Sequence, residues 1–208
     1  MGPVTEQKQS KRDLILELAE QSVLEKGFAA TSIDELIAAA GITKSGFFYH
    51  FKDKAELAKH MYLRYLERDN KAFADLFEAA DAATDDPLEQ FLHMIDGLTD
   101  MLRDLPKTHP GCLIASCTYQ YQLFNKEIHD LNKQGILEWR YLFRDRLEAI
   151  AEKYPPKGDV DMDVMADLLT TLIEGGIVVS RSLGEKSVLP QQVALYRDYL
   201  ERVFRPND

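Results

Sequence analysis

Residues 31–57 predict two short helices joined by a glycine turn, and this pattern constrains the fold more than any other stretch. Ser32, followed three residues later by Glu35, is the sequence signature of a capping box, so a helix is predicted to begin there. Gly41 falls where a left-handed residue would end that helix, and Thr43 is suited to cap the next one. The sequence therefore predicts two helices set at an angle by a tight turn.

The second of these helices shows an unusual division of side chains. Phe47 and Phe51 are four residues apart, so they are predicted to point together into the core. The opposite side then carries polar and aromatic groups in succession: Lys44, Ser45, Phe48 and Tyr49. Such a surface is typical of a helix that reads DNA. The alternative is a buried helical corner, which leaves Lys44, Tyr49 and His50 unexplained.

A third helix is predicted to begin at Asp53, which forms a second capping pair with Glu56. Lys54 lies in its first turn, where a cation gains nothing from the helix dipole. Its placement suggests a phosphate partner.

The stretch 31–57, together with the amphipathic segment 10–27, resembles the N-terminal domain of the TetR family of transcriptional regulators. The resemblance implies an all-α fold, with a helix-turn-helix DNA-binding domain over 1–52 and a helical ligand-binding and dimerisation domain over 53–208. It implies a homodimeric repressor that binds double-stranded DNA at a near-palindromic operator and is released by a small-molecule effector. The DNA-binding positions that it implies are Ser32, Thr43, Lys44, Ser45, Gly46, Phe48, Tyr49, His50 and Lys54. Where this chain has Phe48 the family usually has tyrosine, so a phenol-to-phosphate hydrogen bond is not carried over.

The net charge of −10 looks like an objection to DNA binding. Residues 1–60, however, hold eight Lys or Arg against nine Asp or Glu, which gives −1 and leaves −9 for the rest of the chain. Within 43–60, four lysines against two acids give +2. The acidic charge therefore lies mostly away from the predicted reading helix.

Helical periodicity dominates the whole chain, and signals for strands are nearly absent. Pro87 is suited to the first turn of a helix, and the sequence YPPKG at 154–158 is the strongest stop. Outside the motif, helices are predicted at about 10–26, 53–80, 87–104, 112–123, 126–153, 161–183 and 190–204.

The middle helices carry aromatic and flexible apolar residues that could line an effector pocket for an apolar or aromatic molecule. The predicted lining is Phe91, Met94, Ile95, Leu98, Met101, Cys112, Tyr119, Tyr121, Trp139 and Phe143. The polar tips of Tyr119, Gln120, Tyr121 and Gln122 could orient a ligand. The alternative is that these residues are ordinary core.

Gly175 and Gly176 lie in the middle of a predicted helix, where each glycine costs about 1 kcal/mol relative to alanine. Close approach of another helix would compensate that cost. The resemblance places a dimer interface of two helices from each subunit here, with Val179, Leu195 and Tyr199 beside the glycines. The alternative is packing within one chain.

Cys112 and Cys117 are the only thiols. Their spacing on one helix disfavours a local disulfide, and without a nearby pair of histidines they do not predict a zinc site. Both are most simply packing residues. Cys112 directly follows Pro110 and Gly111 at a predicted helix start, so a thiol that senses electrophiles or oxidants is an alternative form of the repressor.

Sequence motifs do not favour an enzyme. We find neither a phosphate-binding glycine loop nor a serine nucleophile elbow, and Glu56 with His60 has the wrong spacing for a di-iron bundle. We therefore expect no catalytic residues, cofactor or metal. Residues 1–13 lack the apolar core of a signal peptide, so a cytoplasmic protein without a membrane partner is expected. A helical ligand-binding module without DNA binding is the alternative from a different functional class.

Overall fold

The computed structural model describes residues 10–205, and every segment of regular secondary structure in this range is helical. The predicted all-α class is confirmed for these residues. The expectation about a signal segment depends mainly on residues 1–9, which lie outside the described range. No helix within the described range is both long enough and apolar enough to cross a bilayer.

Three short helices precede a long one. They are α1 (Lys11–Lys26), α2 (Ile33–Ala40) and α3 (Lys44–His50), and the long helix is α4 (Lys54–Ala83). The predicted capping box is confirmed, because the Ser32 hydroxyl accepts a hydrogen bond from the Glu35 N–H and the Glu35 side chain accepts one from the Ser32 N–H. Gly41 has a φ of 58°, the left-handed conformation that the turn requires.

Five helices and one 3₁₀ turn follow. The helices are α5 (Pro87–Arg103), α6 (Leu113–Tyr119), α7 (Lys126–Lys153), α8 (Met162–Leu183) and α9 (Val188–Phe204), with the 3₁₀ turn at Tyr121–Leu123 after α6. Asp86 caps α5 by accepting hydrogen bonds from the Leu88 and Glu89 N–H groups, which confirms Pro87 in its first turn.

Three predicted boundaries were wrong. The helix expected over 112–123 ends at Tyr119, because the backbone of Gln120 leaves the helical region and the chain tightens into the 3₁₀ turn. Helix α4 runs three residues past its predicted end, to Ala83. Helix α9 begins two residues before Pro190, which is tolerated in a first turn because its missing N–H would have no helical partner there.

The described residues form two compact units. We call residues 10–65 with 112–132 the N-terminal unit, and residues 66–111 with 133–205 the C-terminal unit. Helix α4 begins in the first and ends in the second, as does α7. These units are divided differently from the predicted domains 1–52 and 53–208, whose functional boundary stays a prediction.

Candidate nucleic-acid interface

Helix α3 is held at its start by a compact cap. The Thr43 Oγ1 atom accepts a hydrogen bond from the Gly46 N–H at 3.1 Å and lies 3.0 Å from the Ser45 Oγ atom. A Cβ atom on residue 46 would lie only 3.3 Å from Thr43 Oγ1. Glycine at this position therefore leaves the capping oxygen undisturbed while the helix turns away from α2.

Two buried phenylalanines anchor α3 to the core. Phe47 and Phe51 have no exposed surface, and their ring centroids lie 5.8 Å apart, which confirms that they face the core. The guanidinium of Arg12 in α1 lies 5.2 Å from the Phe51 ring centroid. Since both anchors are fixed, the direction of the opposite face of α3 is fixed as well.

The opposite face of α3 is open to solvent. Tyr49 is 85% exposed and Phe48 is 43% exposed, although Phe48 also has edge contact with Phe47 at 5.4 Å between ring centroids. Lys44 is exposed, whereas His50 is only half-buried, with its ring 5.1 Å from the Tyr49 ring. The predicted separation of an anchored face and a free polar and aromatic face is therefore present. Whether these residues contact DNA stays a prediction.

Lys54 is more constrained than its sequence position suggests. Its Nζ atom donates a hydrogen bond to the Phe28 carbonyl oxygen at 2.6 Å and lies 4.3 Å from the Phe28 ring centroid. Partial burial lowers the pKa of the Lys54 ammonium from its usual value. An ammonium has three donors, so this bond leaves capacity for a phosphate, and the predicted phosphate contact stays a prediction.

Residues 112–132 pack against helix α1, the turn after it and the start of α4, contacts that sequence reasoning missed. The Gln120 Oε1 atom accepts a hydrogen bond from the Phe28 N–H at 3.1 Å, and the Phe28 and Phe124 ring centroids are 4.5 Å apart. The Tyr62 hydroxyl donates to the Leu113 carbonyl. Gln120 thus holds the backbone after α1, and its role in orienting a ligand stays a prediction. Its partner is 92 residues away in sequence, and no local pattern signals that pairing.

The predicted effector-pocket residues divide between the two units. Phe91, Met94, Ile95, Leu98, Trp139 and Phe143 are buried in the C-terminal unit, while Met101 in the same unit is 45% exposed. Cys112, Tyr119 and Tyr121 belong to the N-terminal unit, where both tyrosines are exposed and Tyr121 stacks on His129 at 3.5 Å between centroids. The buried set is consistent with either core or pocket, so the pocket stays a prediction.

An aromatic cluster lies inside the C-terminal unit. The Phe91 ring centroid lies 6.3 Å from that of Phe143, and Phe73 lies between Phe143 and Trp139 at 5.2 and 6.1 Å. The Trp139 Nε1 atom donates to the Asn70 Oδ1 atom at 2.9 Å. A polar pair is therefore held beside the apolar cluster, an arrangement that can orient a ligand or simply satisfy the indole N–H.

The two mid-helix glycines of α8 differ. A Cβ atom on Gly176 would lie 2.8 Å from the Leu189 Cδ1 atom and 3.3 Å from the Leu189 Cα atom of α9. Packing within one chain, the alternative to a dimer contact, therefore accounts for Gly176. Gly175 has no heavy atom of the described residues near enough to contact such a Cβ atom, and it is exposed. Several large apolar residues of the same two helices are also exposed: Val164, Val178, Val179 and Leu183 in α8, and Leu195 and Tyr199 in α9.

Both cysteines are reduced and buried, with 5% of Cys112 and 1% of Cys117 exposed. Burial raises the pKa of the Cys117 thiol, partly offset by its hydrogen bond with Tyr62. The described residues contain no group of three His, Cys, Asp or Glu side chains arranged to hold a metal ion. The thiol-sensing alternative for Cys112 stays a prediction.

Comparison with known proteins agrees with this geometry. Residues 15–61 match the family model described as bacterial regulatory proteins, tetR family. Over 156 residues the chain is 26% identical to the uncharacterized HTH-type transcriptional regulator YerO of Bacillus subtilis, and over 54 residues it is 35% identical to the HTH-type transcriptional regulator AcrR of Shigella flexneri. These matches span 75% and 26% of this chain, but only 52% and 25% of the two relatives.

The fold is shared more widely than the sequence. A TetR-family transcriptional regulator from Agrobacterium tumefaciens superimposes with a TM-score of 0.76 over 94% of this chain and 98% of its own, at 22% identity. The fold is therefore the one seen in that solved regulator, and the helix-turn-helix lies within the matched residues 15–61. Residues 15–61 therefore resemble the DNA-binding region of tetR-family regulators.

Proposed function

We propose that this protein is a ligand-responsive transcriptional repressor, a homodimer that binds a near-palindromic operator and is released by a small-molecule effector. In this proposal it is a binding protein and not an enzyme. The observation that carries the proposal is the two-sided helix α3, with Phe47 fully buried and Tyr49 85% exposed. A solvent-exposed tyrosine and an exposed lysine on the same anchored helix suit a groove lined by bases and phosphates.

Charge supports the same assignment. The +2 balance over residues 43–60 contrasts with −9 over residues 61–208. Lys44 is exposed at the start of α3 and is available to a phosphate or to a base edge. The proposed orientation therefore brings the basic surface to DNA and keeps the acidic remainder away from it.

The exposed face of α8 and α9 supports dimerisation. Val179 on α8 is 45% exposed, and Leu195 and Tyr199, four residues apart on α9, are 54% and 39% exposed, so both helices present apolar side chains at the surface of the C-terminal unit. Burying them against a second copy would remove apolar area from water. We therefore propose that Gly175, Val179, Leu195 and Tyr199 lie at the interface. Gly176 is left out because it packs against Leu189.

Helix α4 supports a mechanism in which effector binding changes DNA binding, because it has residues in both units. Its residues 54–65 belong to the N-terminal unit and its residues 66–83 to the C-terminal unit. In our proposal an apolar or aromatic effector binds near Phe91, Trp139 and Phe143 and favours a conformation in which α4 is displaced. The two α3 helices then no longer match successive major grooves, which are about 34–36 Å apart, and the operator is released.

The experiment is selection of bound duplexes from a random pool, followed by titration of the selected duplex with purified protein. Tyr49→Ala should weaken the selected complex at least about ten-fold, because one base or phosphate contact is lost in each subunit. Tyr141→Ala is the matched control, since Tyr141 is also exposed but lies in the C-terminal unit. The Tyr141→Ala variant should bind the selected duplex with the same affinity as the unmodified protein.

Failure to enrich any duplex at low salt would contradict the proposal. It would favour the alternative, a helical ligand-binding module without DNA binding. Equal loss in both tyrosine variants would show that the effect does not come from α3.

A further inference from the structure

A small pocket lies within the N-terminal unit, between the start of α4 and the start of α7. We call it the α4–α7 pocket, and its volume is about 280 Å³. Its apolar wall includes Phe28, Ala58, Phe124 and Ile128, all of them buried. Because the pocket is small and apolar, it fits a fragment-sized ligand and not one of the size usual for drugs.

Lys54 supplies the only side-chain cation in the lining of this pocket. Its Nζ atom is fixed by the Phe28 carbonyl oxygen and by the Phe28 ring, both of which stabilise a positive charge without neutralising it. Among the residues that the structure describes, none pairs a carboxylate with this ammonium. Two of its three donors therefore remain for a ligand.

Partial desolvation makes an unneutralised ammonium costly, and an anion brought to it recovers that cost through a charge-assisted hydrogen bond. The burial that lowers the pKa of Lys54 indicates that such a cost is present. An apolar wall beside one fixed cation selects a molecule that is apolar at one end and anionic at the other.

We propose that the α4–α7 pocket binds a small apolar monocarboxylate, with its carboxylate on the Lys54 Nζ atom and its hydrocarbon part against Phe28 and Phe124. This site is distinct from the effector pocket proposed in the C-terminal unit, since every residue that lines it belongs to the N-terminal unit.

The test is isothermal titration of the full-length protein, without DNA, using benzoate and its neutral analogue benzamide. Benzoate should bind at least about ten-fold more tightly than benzamide, because only the anion forms the charge-assisted bond. Lys54→Met keeps the apolar stem but removes the charge, and it should weaken benzoate binding about ten-fold or more. Lys52→Met is the matched control, since Lys52 is exposed and does not line the pocket.

A second variant keeps the Lys54 ammonium and fills the α4–α7 pocket. Ala55 is an exposed lining residue on α4, so Ala55→Leu should fill the mouth of the pocket without burying a new group in the core. Benzoate binding should be lost in this variant while circular dichroism is unchanged. The proposal is overturned if benzoate binds Lys54→Met or Ala55→Leu as tightly as the unmodified protein, if benzamide binds equally well, or if no heat of binding is seen at millimolar benzoate.

A regulatory consequence rests on the proposed function. If Lys54 also contacts operator phosphate, benzoate and DNA compete for one ammonium, and benzoate should weaken operator binding in the unmodified protein but not in Lys54→Met. If benzoate binds but does not change the affinity for the operator, the competition is refuted, while the benzoate site itself is not. Because the titration contains no DNA, failure of the site is distinguishable from failure of the repressor assignment.

Discussion

Substitution of Gly176 tests whether the α8–α9 contact is as close as the structure indicates. In Gly176→Ala the new Cβ atom would lie 2.8 Å from the Leu189 Cδ1 atom, and Leu189 is only 1% exposed, so the leucine has little room to move. Overpacking of this kind costs about 1 to 3 kcal/mol. Alanine recovers about 1 kcal/mol of helix propensity relative to glycine. The free energy of unfolding should therefore fall by about 0 to 2 kcal/mol.

A double-mutant cycle isolates this contact. Leu189→Ala alone should cost about 2 to 5 kcal/mol, because it leaves a cavity beside Gly176. In that background Gly176→Ala should be neutral or stabilising, since only the Leu189 Cα atom at 3.3 Å still limits the new methyl group. The predicted coupling between the two substitutions is about 1 to 3 kcal/mol.

Urea unfolding followed by circular dichroism, at one fixed protomer concentration, measures all four proteins of the cycle. Gly175→Ala combined with Leu189→Ala is the matched control and should show coupling below about 0.5 kcal/mol, because a Cβ atom at residue 175 contacts none of the described residues. Coupling below about 0.5 kcal/mol for Gly176 as well would refute the close approach of α8 and α9.

Three further predictions concern the dimer, the phosphate contact and the thiols. Gly175→Leu should give folded monomers in sedimentation, because it adds bulk only on the exposed face, and a dimer at low micromolar concentration would place the interface elsewhere. Lys54→Ala should weaken all DNA sequences alike and lower the salt slope by about one unit per subunit, whereas an unchanged slope in a folded dimer would remove Lys54 from the phosphate contacts. Cys112 should react with iodoacetamide faster than Cys117, since burial raises the pKa of the Cys117 thiol, and modification of Cys112 should weaken operator binding. If mass spectrometry shows that both thiols are alkylated equally slowly, the thiol-sensing alternative is refuted.

Local rules predicted the helix-turn-helix well because its determinants are close in sequence. The Ser32 to Glu35 cap, the left-handed Gly41 and the Thr43 cap each involve residues within a few positions of one another. The spacing of Phe47 and Phe51 was enough to identify the anchored face of α3. For such elements the sequence contains both partners of the interaction within one short window.

Interactions between distant residues could not be predicted in this way. Helix α6 ends early at Gln120, whose side chain accepts a hydrogen bond from the Phe28 N–H. Gly176 in α8 lies close to Leu189 in α9. Lys54 shows the same limit, because its position near a helix start suggested a phosphate partner while the fold also gives it the Phe28 carbonyl. In each case the second partner is set by tertiary packing, which a pattern along one helix does not encode.

In the proposed function, two copies of α3 enter successive major grooves of one operator. A hydroxyl-radical footprint of the selected duplex, with the number of bound protomers counted by native mass spectrometry, tests this most directly. Two protomers should protect two symmetric backbone segments about one helical turn apart on the same face of the duplex, and Tyr49→Ala should abolish both at the same protein concentration. A single protected segment, or an unchanged footprint with Tyr49→Ala, would contradict the account.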